Sequence, residues 1–246
     1  MDRLQAAFER ERLFSGNAAH ELSTPVAELR STTDVALKWQ GDAADALAEL
    51  LAANEIAIQM EGKIRALLAL ARTESARAQI RPAPLRLDQI VAELVSSLSA
   101  KSKAKELRVT IEGGDWLVRS DEAMLRAILF NLLDNAASYT EAGGSIHCAF
   151  QREGASVSVA IRNGPHGLAE ADLEHLFTPF WRKDPARADS SHAGLGLALA
   201  RAYAEALKLK VALNLDAHGR AVAMVAGLPL ENGSGPDGGK AHEGAP

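Results

Sequence analysis

Two long stretches of apolar residues at helical spacing, divided by Gln40-Gly41-Asp42, constrain this chain more than anything else in it. From Asp2 to about Trp39, Leu4, Phe8, Ala18, Leu22, Val26, Leu29, Ala36 and Leu37 recur at three- and four-residue steps. That period predicts one helix with a single apolar stripe. A second helix is predicted from about Ala43 to Ser75. There Leu47, Leu50, Ala57, Ile64, Leu68 and Ala71 fall on a near-heptad stripe, widened by Ile56, Met60, Leu67 and Leu70. Asp42 stands where it can cap this second helix. Two long helices joined by a short turn make an antiparallel hairpin. One hairpin leaves apolar surface exposed, and pairing two chains into a four-helix bundle is the natural remedy, so a homodimer is expected.

Arg81-Pro82-Ala83-Pro84 ends the helical pattern, because proline lacks an N–H and pushes its predecessor out of the helical region. Beyond it the period changes repeatedly. Leu87 to about Lys105 reads as amphipathic helix, Arg108–Ile111 and Trp116–Arg119 as short strands, and Glu122–Ser138 as helix. Ser145–Gln151 and Ala155–Arg162 alternate like a strand hairpin; Val211–Leu215 and Ala221–Ala226 form a second strand pair. Short and longer helices are expected at Glu170–Leu176 and Leu195–Leu207. Strands and helices interleave without a steady βαβ rhythm, which predicts an α+β sandwich with a mixed or antiparallel sheet. The expected organisation is a helical hairpin over 1–81, a mixed domain over 82–230, and a Gly-rich, disordered tail over 231–246.

Composition removes several function classes. The net charge is −5 and no basic stripe is present, so nucleic acid is not an expected partner. The single cysteine, Cys148, cannot form an internal disulfide, and its alternating surroundings read as a strand with a small core residue. No run approaches the roughly 18–20 apolar residues of a membrane span, and the N-terminus lacks a signal-peptide core. The expectation is a cytoplasmic chain; its abrupt start in a charged helical pattern equally suits the soluble part of a longer membrane protein. No Gly-x-Ser-x-Gly elbow or P-loop occurs, and His147, His166, His175, His192 and His218 lack ligand spacing.

Four local patterns carry chemistry. The first is His20-Glu21-Leu22-Ser23-Thr24-Pro25-Val26 inside the first helix. His20 lies about 200° around the axis from Leu22, which predicts an outward-facing imidazole. Pro25 deprives the Glu21 carbonyl of its helical partner, so the helix can bend just past the histidine. The second is Asn131-Leu-Leu-Asp134-Asn135-Ala-Ala-Ser138-Tyr139-Thr140, whose two asparagines share one helix face. Neutral amide oxygens suit Mg²⁺ held by nucleotide phosphates. The third is Asn163-Gly164-Pro165-His166-Gly167-Leu168, followed by Asp172-Leu-Glu-His-Leu-Phe177-Thr-Pro-Phe180-Trp181-Arg182. The fourth is Gly194-Leu195-Gly196-Leu197, which opens a helix and aims backbone N–H groups where phosphates can sit. The polar stretch Lys183–Ser191 before it is placed to act as a lid.

In this order the patterns resemble the catalytic core of sensor histidine kinases of two-component systems, and the resemblance runs to about Leu230. It implies a homodimeric hairpin carrying the phosphoacceptor, followed by a Bergerat-type ATP-binding sandwich. By that resemblance His20 accepts the phosphoryl group, Glu21 serves as base, and Thr24 orients water for dephosphorylating the partner regulator. Asn135 is implied as the Mg²⁺ ligand, Asn131 on the phosphate side, and Tyr139 against adenine. Asn163 stands where the family has Asp to accept the adenine amino proton. Gly167 and Leu168 continue that box, Arg182 ends the next, and Gly194, Leu195 and Gly196 form the last. The chain departs from the pattern at Ser23 (usually Arg), Ser138 (usually basic), Asn163 (Asp) and Pro165 (Gly). The implied activity is ATP-dependent autophosphorylation of His20, then transfer to an aspartate of a response-regulator receiver domain, with regulator phosphatase activity alongside. Two alternatives stay open. One is a dimeric phosphotransfer scaffold that uses His20 without binding ATP well; the other is a nucleotide-gated interaction module.

Overall fold

The computed structural model describes residues 2–38, 43–71, 80–164, 167–183 and 194–231. Helices α1 (Asp2–Lys38) and α2 (Ala43–Ala71) fold back on each other, and Lys63 of α2 reaches Glu21 of α1. The Gln40–Asp42 turn, residues 72–75 at the expected end of α2, and the tail beyond Glu231 lie outside the described residues. Leu47, Leu50 and Leu51 of α2 are more than half exposed, at 57%, 58% and 63%, so one hairpin does not cover its own apolar surface. Among the described residues no helix is long and apolar enough to cross a membrane.

The rest of the chain is a mixed α/β layer structure. β1 (Ala83–Arg86) pairs antiparallel with β3 (Leu117–Ser120). The main sheet has the order β2-β4-β5-β7-β6, built from Arg108–Ile111, Ser145–Glu153, Ser156–Gly164, Ala221–Pro229 and Lys210–Leu215. Only the β2–β4 pairing is parallel, which makes the sheet mixed. Helix α5 (Glu122–Tyr139) lies on it after α3 (Leu87–Ser97) and α4 (Ser99–Ala104), and α6 (Gly196–Ala206) packs beside α5. Leu125, Ile128, Leu129 and Leu132 of α5 join Val157, Val159 and Ile161 of β5 in a core almost sealed from solvent. Burial of this kind contributes about 1.5–3 kcal/mol per large aliphatic side chain.

Three expectations are corrected. The Pro-rich boundary is not only a breaker, because Pro84 sits within β1 opposite Arg119. A short edge strand tolerates a residue with no N–H. The helix expected over Leu87–Lys105 is two helices. At Leu98 the N–H is shared between the carbonyls of Leu94 and Val95, each at 3.2 Å, while Ser97 Oγ donates to Leu94 O at 2.7 Å. A serine hydroxyl competing for a helical carbonyl favours such a break. Glu170–Leu176 holds only a 3₁₀ turn at Glu170–Asp172, where the Asp172 carboxylate takes the Ala169 N–H at 2.8 Å. Cys148, by contrast, is the core residue its pattern suggested: it is fully buried, and burial pushes its thiol up to about 12. At neutral pH it carries no thiolate and is chemically inert.

Candidate nucleotide and phosphoacceptor site

Helix α5 starts because Asp121 caps it, accepting the Met124 N–H at 3.1 Å. Its inward face is aliphatic, which leaves Asn131 and Asn135 on a half-buried flank. Asn131 Nδ2 donates to Ala127 O at 2.7 Å, fixing which end of the amide is oxygen. That oxygen lies against Gly196: a Cβ there would come within 2.7 Å of Asn131 Oδ1. The first turn of α6 therefore packs closely against the Asn131 side chain of α5, and a side chain at position 196 would have to displace that amide. Among the described residues nothing is hydrogen-bonded to the Asn135 carboxamide. Its oxygen is a hard, neutral donor of the type Mg²⁺ accepts when phosphates supply the remaining ligands. The residues present thus fit a Mg-nucleotide.

At the end of α5 the structure makes a connection the sequence did not reveal. Asn163, next to the last residue of strand β5 and only 6% exposed, donates from Nδ2 to Thr140 Oγ1 at 3.0 Å. Thr140 is itself buried and donates its one hydroxyl proton to Ala136 O at 2.6 Å. The polarity is then determined: Thr140 can only accept from Asn163, so the asparagine oxygen is the end left to meet a ligand amino group. Tyr139, the preceding residue, is 39% exposed at the rim. Thr140 closes the second sequence pattern, but only long-range pairing could reveal its partner. Thr140→Val keeps the shape and strands a buried amide. It is expected to cost about 1–3 kcal/mol, read as a shift of the urea midpoint at constant slope. An unchanged midpoint would show that the link carries no stability.

The remaining expected residues are placed as follows. Gly167 has open space where a Cβ would stand, so nothing within the protein demands glycine there. Its carbonyl accepts from Lys183 Nζ, which also bridges to Asp172 Oδ2 at 2.6 Å. The Lys183 ammonium, with the Ala169 N–H, holds the Asp172 carboxyl below its ordinary range. Leu168 packs against the main core, and Arg182 is half-buried. Pro165, His166 and residues 184–191 of the expected lid lie outside the described residues. Gly194 has φ +68° and abuts the Phe180 and Trp181 backbone, while Phe180 N–H donates to Gly194 O at 2.9 Å.

His20 lies within α1; its side chain, and hence its predicted outward direction, is outside the described residues. Glu21 is half-buried and takes Lys63 Nζ at 3.3 Å, a partner in α2 that the sequence reading missed. Thr24 is exposed, and Pro25 is buried inside the helix. Ser23 Oγ donates to Ala19 O at 2.7 Å beside the proline. A small apolar cluster joins this region to the nucleotide side. Leu67 of α2 and Leu195 before α6 are buried together, with Ala18, Leu22, Phe180 and Leu199 packed around them.

Comparison with known proteins bears on the fold. Residues 120–237 match the family described as histidine kinase-, DNA gyrase B-, and HSP90-like ATPase. Sensor protein kinase PmrB of Pseudomonas aeruginosa is 26% identical over 249 residues, covering 98% of this chain and 52% of PmrB. The chain therefore spans between 40% and 52% of the length of curated relatives such as this one. Among solved structures, histidine kinase AdeS of Acinetobacter baumannii superposes with a TM-score of 0.68 at 19% identity, over 87% of this chain and 98% of that one. Histidine kinase ThkA in complex with response regulator protein TrrA gives 0.61 at 19% identity, over 93% and 66%. At such identities these likenesses establish the fold: N-terminal helices followed by a Bergerat-type layer structure.

Proposed function

From a chain that carries a histidine kinase-, DNA gyrase B- and HSP90-like ATPase domain and is similar to sensor histidine kinases, we propose that it phosphorylates itself on His20 using Mg-ATP. The phosphoryl group then passes to an aspartate of a response-regulator receiver domain, as the pairing of ThkA with TrrA suggests. The observation that carries the reading is the Leu195 cluster. The helix start that abuts Asn131 also packs beside Ala18 and Leu22, the residues flanking His20. Donor site and acceptor helix therefore adjoin within one apolar contact.

Bound Mg-ATP supplies the phosphoryl donor and a metal that shares the phosphate charge. The chain's own residues do the rest by position and charge. Asn135 offers its amide oxygen to the metal, and Asn131 lines the phosphate side. Asn163, its polarity set by Thr140, accepts from the adenine amino group while Tyr139 flanks the base. Gly194, Leu195 and Gly196 bring the α6 N–H groups to the phosphates. Gly167, Leu168 and Arg182 border the same pocket. A ring nitrogen of neutral His20 forms the N–P bond as the P–O bond to ADP breaks, and Glu21 takes the proton from the other nitrogen. Lys63 holds the Glu21 carboxylate on the α1–α2 seam. Thr24, exposed four residues on, is placed to orient water during dephosphorylation of the regulator. The exposed leucines of α2 pair with a second copy into a four-helix bundle.

Incubation of the purified chain with Mg²⁺ and γ-labelled ATP tests this. Acid-labile, base-stable label on the protein is expected. Nucleotide binding without label would replace the kinase with a gated module; neither label nor binding would leave a phosphotransfer scaffold.

A further inference from the structure

We propose that Lys101 is a phosphate-binding residue of the nucleotide site, reaching it from α4; the proposal rests on the nucleotide-binding reading above. Asn131, Asn135 and Ser138 fall within an arc of about 60° on α5, and Asp134 borders it. This face carries one negative charge and no positive one of its own, so by itself it would repel a triphosphate. Lys101 Nζ lies 2.5 Å from Asp134 Oδ1 and 3.0 Å from Ser138 Oγ, on the edge of that arc. It neutralises the carboxylate that a phosphate would otherwise meet.

An ammonium has three N–H donors. Two are taken here, and among the described residues the third has no acceptor. The side chain is 34% exposed, so a ligand oxygen can reach it without a change of partners. Lys105 is the instructive contrast. Its Nζ donates to the carbonyls of Ala137, Ser138 and Thr140, where it closes the C-terminal end of α5. One lysine is spent on the helix end and the other faces the polar flank. Leu98, at φ −90° and ψ 6°, separates α3 from α4, and Lys101 reaches α5 from the second of these short helices. The small Ser138 side chain leaves the space that the ammonium occupies.

The test uses the full chain and calorimetric titration with two probes, Mg-ATP and adenosine. Lys101→Met is expected to weaken Mg-ATP by about tenfold and to leave adenosine within about twofold. Lys101→Arg should keep most of the ATP affinity, and adding Ser138→Lys to Lys101→Met should restore it by returning a cation to the same edge. Equal weakening of both probes would overturn the proposal and make Lys101 a tie between helices. Unchanged ATP affinity would overturn it as well. A wild-type chain that binds neither probe would remove the nucleotide reading itself, a result distinct from the other two.

Discussion

His20→Gln is expected to abolish the acid-labile label: incorporation from γ-labelled ATP should fall by more than about a hundredfold, because the proposed nucleophile is gone. Glutamine is a good helix former, so α1 should persist. The groups proposed to contact nucleotide, on α5, β5 and α6, lie elsewhere in the chain, and Mg-ATP affinity should stay within about twofold of wild type. The pairing of the two readouts carries the weight. Lost label with retained binding assigns the acceptor to His20. Label that persists in the variant would move the acceptor to another residue and remove the role proposed for Glu21 with it.

Gly194→Ala is expected to damage both stability and nucleotide binding. At φ +68° an alanine is strained, and its Cβ would lie 2.8 Å from Phe180 C and from Trp181 O. Both are backbone atoms, which cannot swing aside as a side chain can. Left-handed backbone costs roughly 1–2 kcal/mol for a non-glycine residue, and forced overpacking typically adds about 1–3. Phe180, itself at φ 66°, belongs to the cluster that joins Leu195 to Leu22 and Leu67. The strain therefore falls on the seam between the two parts of the chain. The melting temperature should drop by roughly 5–15 °C, and ATP affinity by about tenfold or more. Gly196→Ala is the control in geometry, because its Cβ meets only the Asn131 side-chain amide. That variant should lose ATP affinity with little change in melting temperature. A Gly194→Ala protein with wild-type melting would show that the Phe180–Gly194 contact yields easily.

The sequence determined what neighbours along the chain can determine. The bounds of α1, the start of α2, strand β2 and nearly all of α5 are readable because apolar period, caps and turn residues act within a few positions of one another. The candidate site residues can be nominated from the sequence for the same reason: each pattern is a continuous segment. Tertiary structure decided what those segments do together. That Asn163 is oriented by Thr140, 23 residues away, depends on β5 ending beside the end of α5. That a side chain at Gly196 would meet the Asn131 amide, and that Lys101 reaches Ser138, 37 residues away, are long-range facts of the same kind. The pairing of Pro84 with Arg119 in a strand, where local chemistry reads only a breaker, has the same origin. Each depends on register and on the angle at which packed elements meet, and these are set by the closure of one core whose members are scattered from Leu85 to Leu228.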